Sequence, residues 1–179
     1  IADAPGVARN GQNPLASAEL FVIINLPKRS TGTDANVPLR GVEAAAALVR
    51  DHFKITQGRM FDWGKEEVIV GRGAAQEFAG LEVGSKIKVG RYDWPVVGVF
   101  EDGGAVAESE IWSDAKVLQD AYQRGDSFQS VRAKLVSAGA FQAFKDSLTS
   151  NPQLNVEVMR QSDYYSQQSE TLTLLITTL

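Results

Sequence analysis

The sequence predicts a mixed α+β fold in which two flanking segments form one unit and a glycine-rich β block is inserted between them. Two observations point there. The order of periodic segments runs strand, strand, helix, then the glycine-rich block, then strand, helix, strand, helix. The glycines at positions 58, 64, 71, 73, 80, 84, 90 and 98 fall within one stretch, where they favour short strands and tight turns. The chain of 179 residues suits one domain or two small ones, and a hydrophobic content of 44% with 22% charged residues supports an ordinary core.

Element by element, the opening residues 1–15 are turn-rich, with a weak helix or coil over 1–9. Residues 19–26, ELFVIINL, form an apolar β-rich run suited to a central strand. PKRSTGTDAN at 27–36 reads as a polar loop, VPLRGV at 37–42 as a strand, and the Ala-rich 43–53 as a helix burying Ala47, Leu48 and Phe53. Val68, Ile69 and Val70 make a short buried strand, residues 74–78 a helical turn or two, and Gly80 the left-handed residue that ends it. Residues 85–89 and 94–100 pair as a hairpin across GRYD; Ile87 and Val89 share one face while Lys86 and Lys88 take the other. Residues 104–112 read as a strand and 113–122 as a helix capped by Ser113 or Asp114. Beyond it come a strand over 130–136, an amphipathic helix over 139–148 with Phe141, Phe144 and Leu148 inward, and a strand over 155–159. The last expected element is a helix over 162–179, polar first and apolar later.

Composition excludes several functions. The net charge is −4, and 18 Lys and Arg are scattered, so nucleic acid is not the expected partner. With no cysteine and one histidine, His52, neither a disulfide framework nor a thiolate or imidazole metal site is expected. His52 reads as a surface or helix-end imidazole, since no GxSxG elbow accompanies it. The GRG at 71–73 sits where a strand meets a helix, the place for a phosphate loop. It completes neither GxGxxG nor GxxxxGK[ST], so it reads as a turn. Glu66 and Glu67 point to opposite faces of a strand and do not converge; Glu108 and Glu110 share a face and read as a solvated edge. No catalytic, cofactor-binding or metal-binding residue is expected.

Trp63, Trp94 and Trp112 all fall in or beside the β block. They either supply the core of a unit short of large aliphatics or present an anchor for a partner protein. Lys28 and Arg29, on the polar loop, complete the candidate partner contacts.

The ordered set of motifs resembles the extracytoplasmic core domain of MacB-like and FtsX-like ABC transporter permeases. PLRGV at 38–42 precedes a glycine–arginine turn, Gly58 and Arg59. EVIVG at 67–71, a small helix over 74–78, LEVGSKIKVG at 81–90, WPVVGVF at 94–100 and ESEIW at 108–112 then follow in family order, and the similarity extends over residues 16–170. The 27–36 loop is longer than in efflux members. The resemblance implies a porter-like α/β lobe from residues 1–54 and 127–179 and an inserted β-rich lobe over 55–126. It implies a domain between two transmembrane helices, so that the chain is expected to be cut from a longer protein at a membrane boundary. Its side of the inner membrane would be periplasmic. The domain would be non-catalytic, coupling ATP-driven helix motion to release or export of a cargo. Its partners would be an ABC ATPase subunit, a second permease copy and a periplasmic membrane fusion or carrier protein. The competing expectation is a ligand-binding or sensing domain of a membrane receptor, which calls for a deep apolar pocket.

Overall fold

The computed structural model describes residues 1–164 and 166. Its strands are β1 (Arg9–Asn10), β2 (Asn13–Pro14), β3 (Ala16–Pro27), β4 (Asp34–Val42), β5 (Phe53–Gly58), β6 (Val68–Gly71), β7 (Lys86–Val89), β8 (Tyr92–Asp102), β9 (Ile111–Asp114) and β10 (Ser130–Ala133). Its helices are α1 (Arg72–Glu77), α2 (Ala115–Ala121) and α3 (Phe141–Thr149). The fold is mixed α+β, as the sequence predicts. Eight strands form one sheet in the order β10-β3-β4-β9-β6-β8-β5, with β7 on β8. Two pairs, β4 with β9 and β6 with β8, are parallel; the others in the sheet are antiparallel.

Compactness divides the described residues into two units, residues 9–134 and residues 3–8 with 135–164. In the second, Val7 bridges Leu135, and the Val136 amide donates to the Gly6 carbonyl at 2.9 Å. Phe144 and Leu148 of α3 are buried there with Val7, at the helical spacing the sequence shows. Residues 161–164 are helical; the rest of the helix expected over 162–179 lies outside the described residues. Among the described residues no helix is long and apolar enough to cross a membrane.

Within residues 9–134 the central strands β6 and β9 are buried on both sides, which is why β6 reads as an unbroken apolar run; toward the edge, β3 leaves Phe21 and Ile23 exposed on one face. Val68 and Val70 face a core with Leu20, Val22, Leu39, Trp94, Ile111 and Leu118. Ile69, between them, faces a second core with Val42, Phe61, Phe100 and Trp112.

Several expectations are corrected here. The 55–126 block does not close by itself, because hydrogen-bonded pairing continues from Phe21 on β3 through β4 and β9 to Val68 on β6 and Phe100 on β8. Its apolar set is two-sided, and the flanking strands supply part of both cores. The expected helix over 43–53 shrinks to one 3-10 turn at Ala44–Ala46. A side-chain demand overrides alanine propensity there: Arg50 is buried against Glu19, while Phe53 starts β5 instead of ending a helix. Residues 104–112 divide into a 3-10 turn, Val106–Ser109, and the start of β9. The 27–36 loop is mostly hairpin, since Pro27 pairs with Asp34 and Leu26 with Ala35. Residues 155–159 form no strand.

Candidate functional site

The three tryptophans separate by burial. Trp94 and Trp112 are 0% exposed, so neither is a partner contact. Trp94 sits opposite Ile87 in the first core. Trp112 stacks on Phe53 at 5.3 Å, and the Arg50 guanidinium lies 4.3 Å over its ring. Their size fills a sheet whose strands carry mostly valine and isoleucine. Trp63 is different. It is 45% exposed, its ring set edge-on to buried Phe61 at 4.8 Å.

Lys28 and Arg29 each pair with a neighbouring carboxylate. Lys28 pairs with Glu77 at 2.8 Å, and Arg29 pairs with Glu82 at 2.5 Å and donates to the Ala75 carbonyl at 3.1 Å. These contacts tie the β3–β4 hairpin to α1 and to Glu82 while both side chains stay partly exposed, at 38% and 41%.

Trp63 lines a cleft of about 370 Å³ beside α2. Asp114 organises it. Its side chain caps α2 by accepting from the Lys116 amide at 2.7 Å, and accepts from the Gly64 amide at 2.7 Å, so one carboxylate ties the Trp63 loop to the helix start. The loop is stiffened from behind. Glu67 accepts two bonds from Arg59, at 2.8 and 2.7 Å, and one from the Asp62 amide at 2.9 Å. The Arg59 hydrogen bond holds the Glu67 carboxyl below its ordinary range. Across the cleft stands Phe128, 41% exposed. Gln119 of α2 holds its segment by donating to the Ser127 carbonyl at 3.0 Å. Glu43, Lys116 and Asp126 supply the charge; Lys116 pairs with Asp126 at 2.7 Å and both are well exposed. Sequence reasoning missed Phe128 and Glu43. The available signal was one aromatic inside the otherwise polar RGDSFQS, residues 124–130.

The acidic residues taken for a solvated edge are buried. Glu110 accepts from Arg40 at 2.7 and 2.6 Å and from the Trp112 indole at 3.0 Å. Arg40 also reaches Glu19 at 3.3 Å, and Glu19 pairs with Arg50 at 3.0 Å. The chain of charges ends at Asp102, 4.0 Å from Arg50; burial pushes its carboxyl up, with Arg50 opposing. Glu108 accepts from the amides of Asp102 at 2.8 Å and Gly104 at 2.7 Å. Burial alone would raise its carboxyl, but those amides and Arg72 outweigh it and the net shift is downward. These groups brace strands and turns. His52 is exposed. Among the described residues no cluster of three or more His, Cys, Asp or Glu is placed to hold a metal.

The GRG turn has a steric reason. A Cβ on Gly71 would lie 2.5 Å from the Glu108 carbonyl carbon and 2.6 Å from its Cα. The glycine lets the 106–109 turn cross directly over the start of α1, leaving no opening for a phosphate.

The MacB-like periplasmic core domain family model matches residues 2–151. No curated protein matches the chain. Among solved structures, the extracellular domain of the noncanonical ABC-type transporter YknZ from Gram-positive bacteria is similar at 19% identity and a TM-score of 0.60. That match covers 82% of this chain and 73% of the other. The periplasmic region of MacB from Actinobacillus actinomycetemcomitans is similar at 16% identity and a TM-score of 0.60, over 87% and 75%. A domain of a putative permease protein from Porphyromonas gingivalis gives 13% identity and a TM-score of 0.51, over 81% and 63%. These three share the fold. With the family model spanning the sheet and its motifs, the chain belongs to the MacB-like periplasmic core domain family, the extracytoplasmic part of ABC transporter permeases.

Proposed function

We propose that this domain couples ATP-driven movement of the permease's membrane helices to a cargo or a partner protein outside the cytoplasm, and that it performs no chemistry of its own. The observation that carries the reading is the continuous eight-stranded sheet, cross-braced on one side by the Glu110–Arg40–Glu19–Arg50 ion chain. A sheet whose central strands are packed on both faces and tied to their neighbours by buried polar bonds moves as a body instead of deforming. Such a body passes on a displacement. ATP is hydrolysed in a separate ATPase subunit, with a second permease copy completing the inner-membrane complex and a periplasmic fusion or carrier protein receiving the motion. A ligand-sensing domain would call for a deep apolar pocket with converging polar groups; the cleft beside α2 is open and rimmed with charge.

The test uses the full-length permease with its ATPase. A flexible Gly/Ser linker inserted after Gln168 is expected to leave ATP hydrolysis intact and to abolish the export phenotype. Export surviving that insertion refutes the coupling.

A further inference from the structure

We infer that the cleft beside α2 is a docking site for an arginine-bearing peptide segment of a partner protein, with the guanidinium seated on Trp63 between Glu43 and Asp126. The inference deepens the coupling reading by naming what the domain grips, and rests on it only for its biological use. Two independent features point the same way. Trp63 and Phe128 are exposed at 45% and 41% while the other two tryptophans are fully buried, so the rim offers aromatic surface that the core does not consume. The charge around them is one-sided. Glu43, Asp114 and Asp126 bring three carboxylates to the lining, against the single ammonium of Lys116.

The carboxylates differ in availability. Asp114 is occupied by three amides, from Gly64, Lys116 and Val117, and contributes field more than a contact. Glu43 accepts the Ala18 amide through Oε2 at 2.8 Å and is exposed as a residue. Lys116 and Asp126 form a solvent-exposed pair, a kind that holds weakly and re-forms with other partners. An incoming guanidinium can take over Asp126 as Lys116 swings aside. The planar, weakly hydrated guanidinium stacks on an indole face better than an ammonium does, and its fork suits carboxylates on two sides. Apolar neighbours of the arginine would lie along Phe128 and Ala44.

The experiment uses the 179-residue chain and the blocked peptide acetyl-Gly-Leu-Arg-Leu-Gly-amide. Controls replace Arg by citrulline, which keeps the shape and removes the charge, or by Glu. The proton–nitrogen signals of the three indoles are followed, with Trp63 assigned through Trp63→Phe. The arginine peptide is expected to shift the Trp63 signal saturably and leave the Trp112 signal in place. Affinity should fall about threefold to tenfold for citrulline, and similarly in the Glu43→Gln/Asp126→Asn double variant, on the scale of a cation–π contact with flanking charge. The glutamate peptide should not bind. The inference is overturned by a Trp63 signal that does not respond saturably, by equal binding of the citrulline peptide, or by unchanged affinity in the double variant. A Trp63 shift driven by protein concentration alone also overturns it, because the occupant is then a second copy. A normal export phenotype in the linker-insertion permease would sink the coupling reading and leave this binding result standing.

Discussion

Replacing Gly71 by alanine is expected to cost far more than any other glycine substitution in the GRG turn, and for a purely steric reason. The backbone at Gly71 has φ −65° and ψ 144°, which any residue adopts, so conformational strain does not enter. The new Cβ, however, would stand 2.5 and 2.6 Å from backbone atoms of Glu108. Carbon atoms pack at about 3.5–4.0 Å, so the 106–109 turn has to move by about 1 Å. That motion pulls on the hydrogen bond from the Gly71 amide to the Glu110 carbonyl, 2.9 Å, and on the β6–β9 pairs Ile69–Trp112 and Val70–Ile111. Overpacking plus a strained buried bond costs roughly 2–4 kcal/mol. In a chain of this length that lowers Tm by about 5–15 °C. Two controls separate the causes. At Gly73 a Cβ would meet the Glu108 carbonyl oxygen at 3.0 Å, and helix propensity returns up to about 1 kcal/mol, so Gly73→Ala should be close to neutral. Gly80 has φ +78° and open space around it, so Gly80→Ala carries only the left-handed penalty of about 1–2 kcal/mol. Urea unfolding followed by tryptophan fluorescence reads all three, since Trp94 and Trp112 lie in the two cores beside this turn. If Gly71→Ala is no worse than Gly80→Ala, the steric account fails.

Three further outcomes follow from the same contacts. Glu110→Gln should destabilise by about 3 kcal/mol, because Arg40 and the Trp112 indole lose a buried charged acceptor; a loss under about 1 kcal/mol in urea titration would show that the bidentate pair contributes little. Glu67 and Glu108 have depressed folded-state pKa values, so their stabilisation is present above the ordinary carboxyl value, about 4.3, and is lost as pH falls through the depressed ones. Asp102, raised by burial, acts in the opposite sense, favouring the folded state on acidification through its own window. Glu108→Gln should therefore shrink the fall in Tm between about pH 5 and 3, and an unchanged acid limb contradicts the linkage. Lys28→Ala and Arg29→Ala, which remove exposed pairs, should leave Tm unchanged within error, and a clear drop would mean the hairpin fastening matters more than surface pairs do.

The strands were legible in the sequence because their burial leaves a period. Lys86–Val89 alternates, and Val68–Gly71 is apolar throughout because both sides are covered. The ordered glycine and valine motifs carried the family. Two things were not legible. Glu19, Arg40, Arg50, Glu108 and Glu110 look like surface residues by type, and only a three-dimensional partner makes their burial tolerable. The cleft depends on Glu43, Trp63, Asp114 and Phe128 coming together from four separated segments, which no local spacing encodes. Trp63 was within reach; telling it from Trp94 and Trp112 required knowing which strands carry the core.

The placement of the buried charges has a physical logic in the sheet's own pairing problem. β4 and β9 are adjacent and parallel, with Leu39 opposite Ile111 and Arg40 opposite Trp112, yet the whole of β5 to β8 lies between them in sequence. A long connection does little to fix register, and a one-residue slip would exchange the two cores, turning Trp112 out of the second and Ile111 out of the first. Hydrophobic burial alone penalises that slip only through side-chain fit. The Arg40 fork on Glu110, with the Trp112 indole on the same carboxylate, adds a directional condition that one alignment satisfies. Glu19 extends it across β3 and hands it to Arg50. Buried ion pairs contribute little net stability compared with apolar packing of equal volume, so their value in this sheet is alignment. Under the coupling proposed above, one fixed register would count for more than a few extra kcal/mol of core, because strands that can slip absorb motion instead of passing it on.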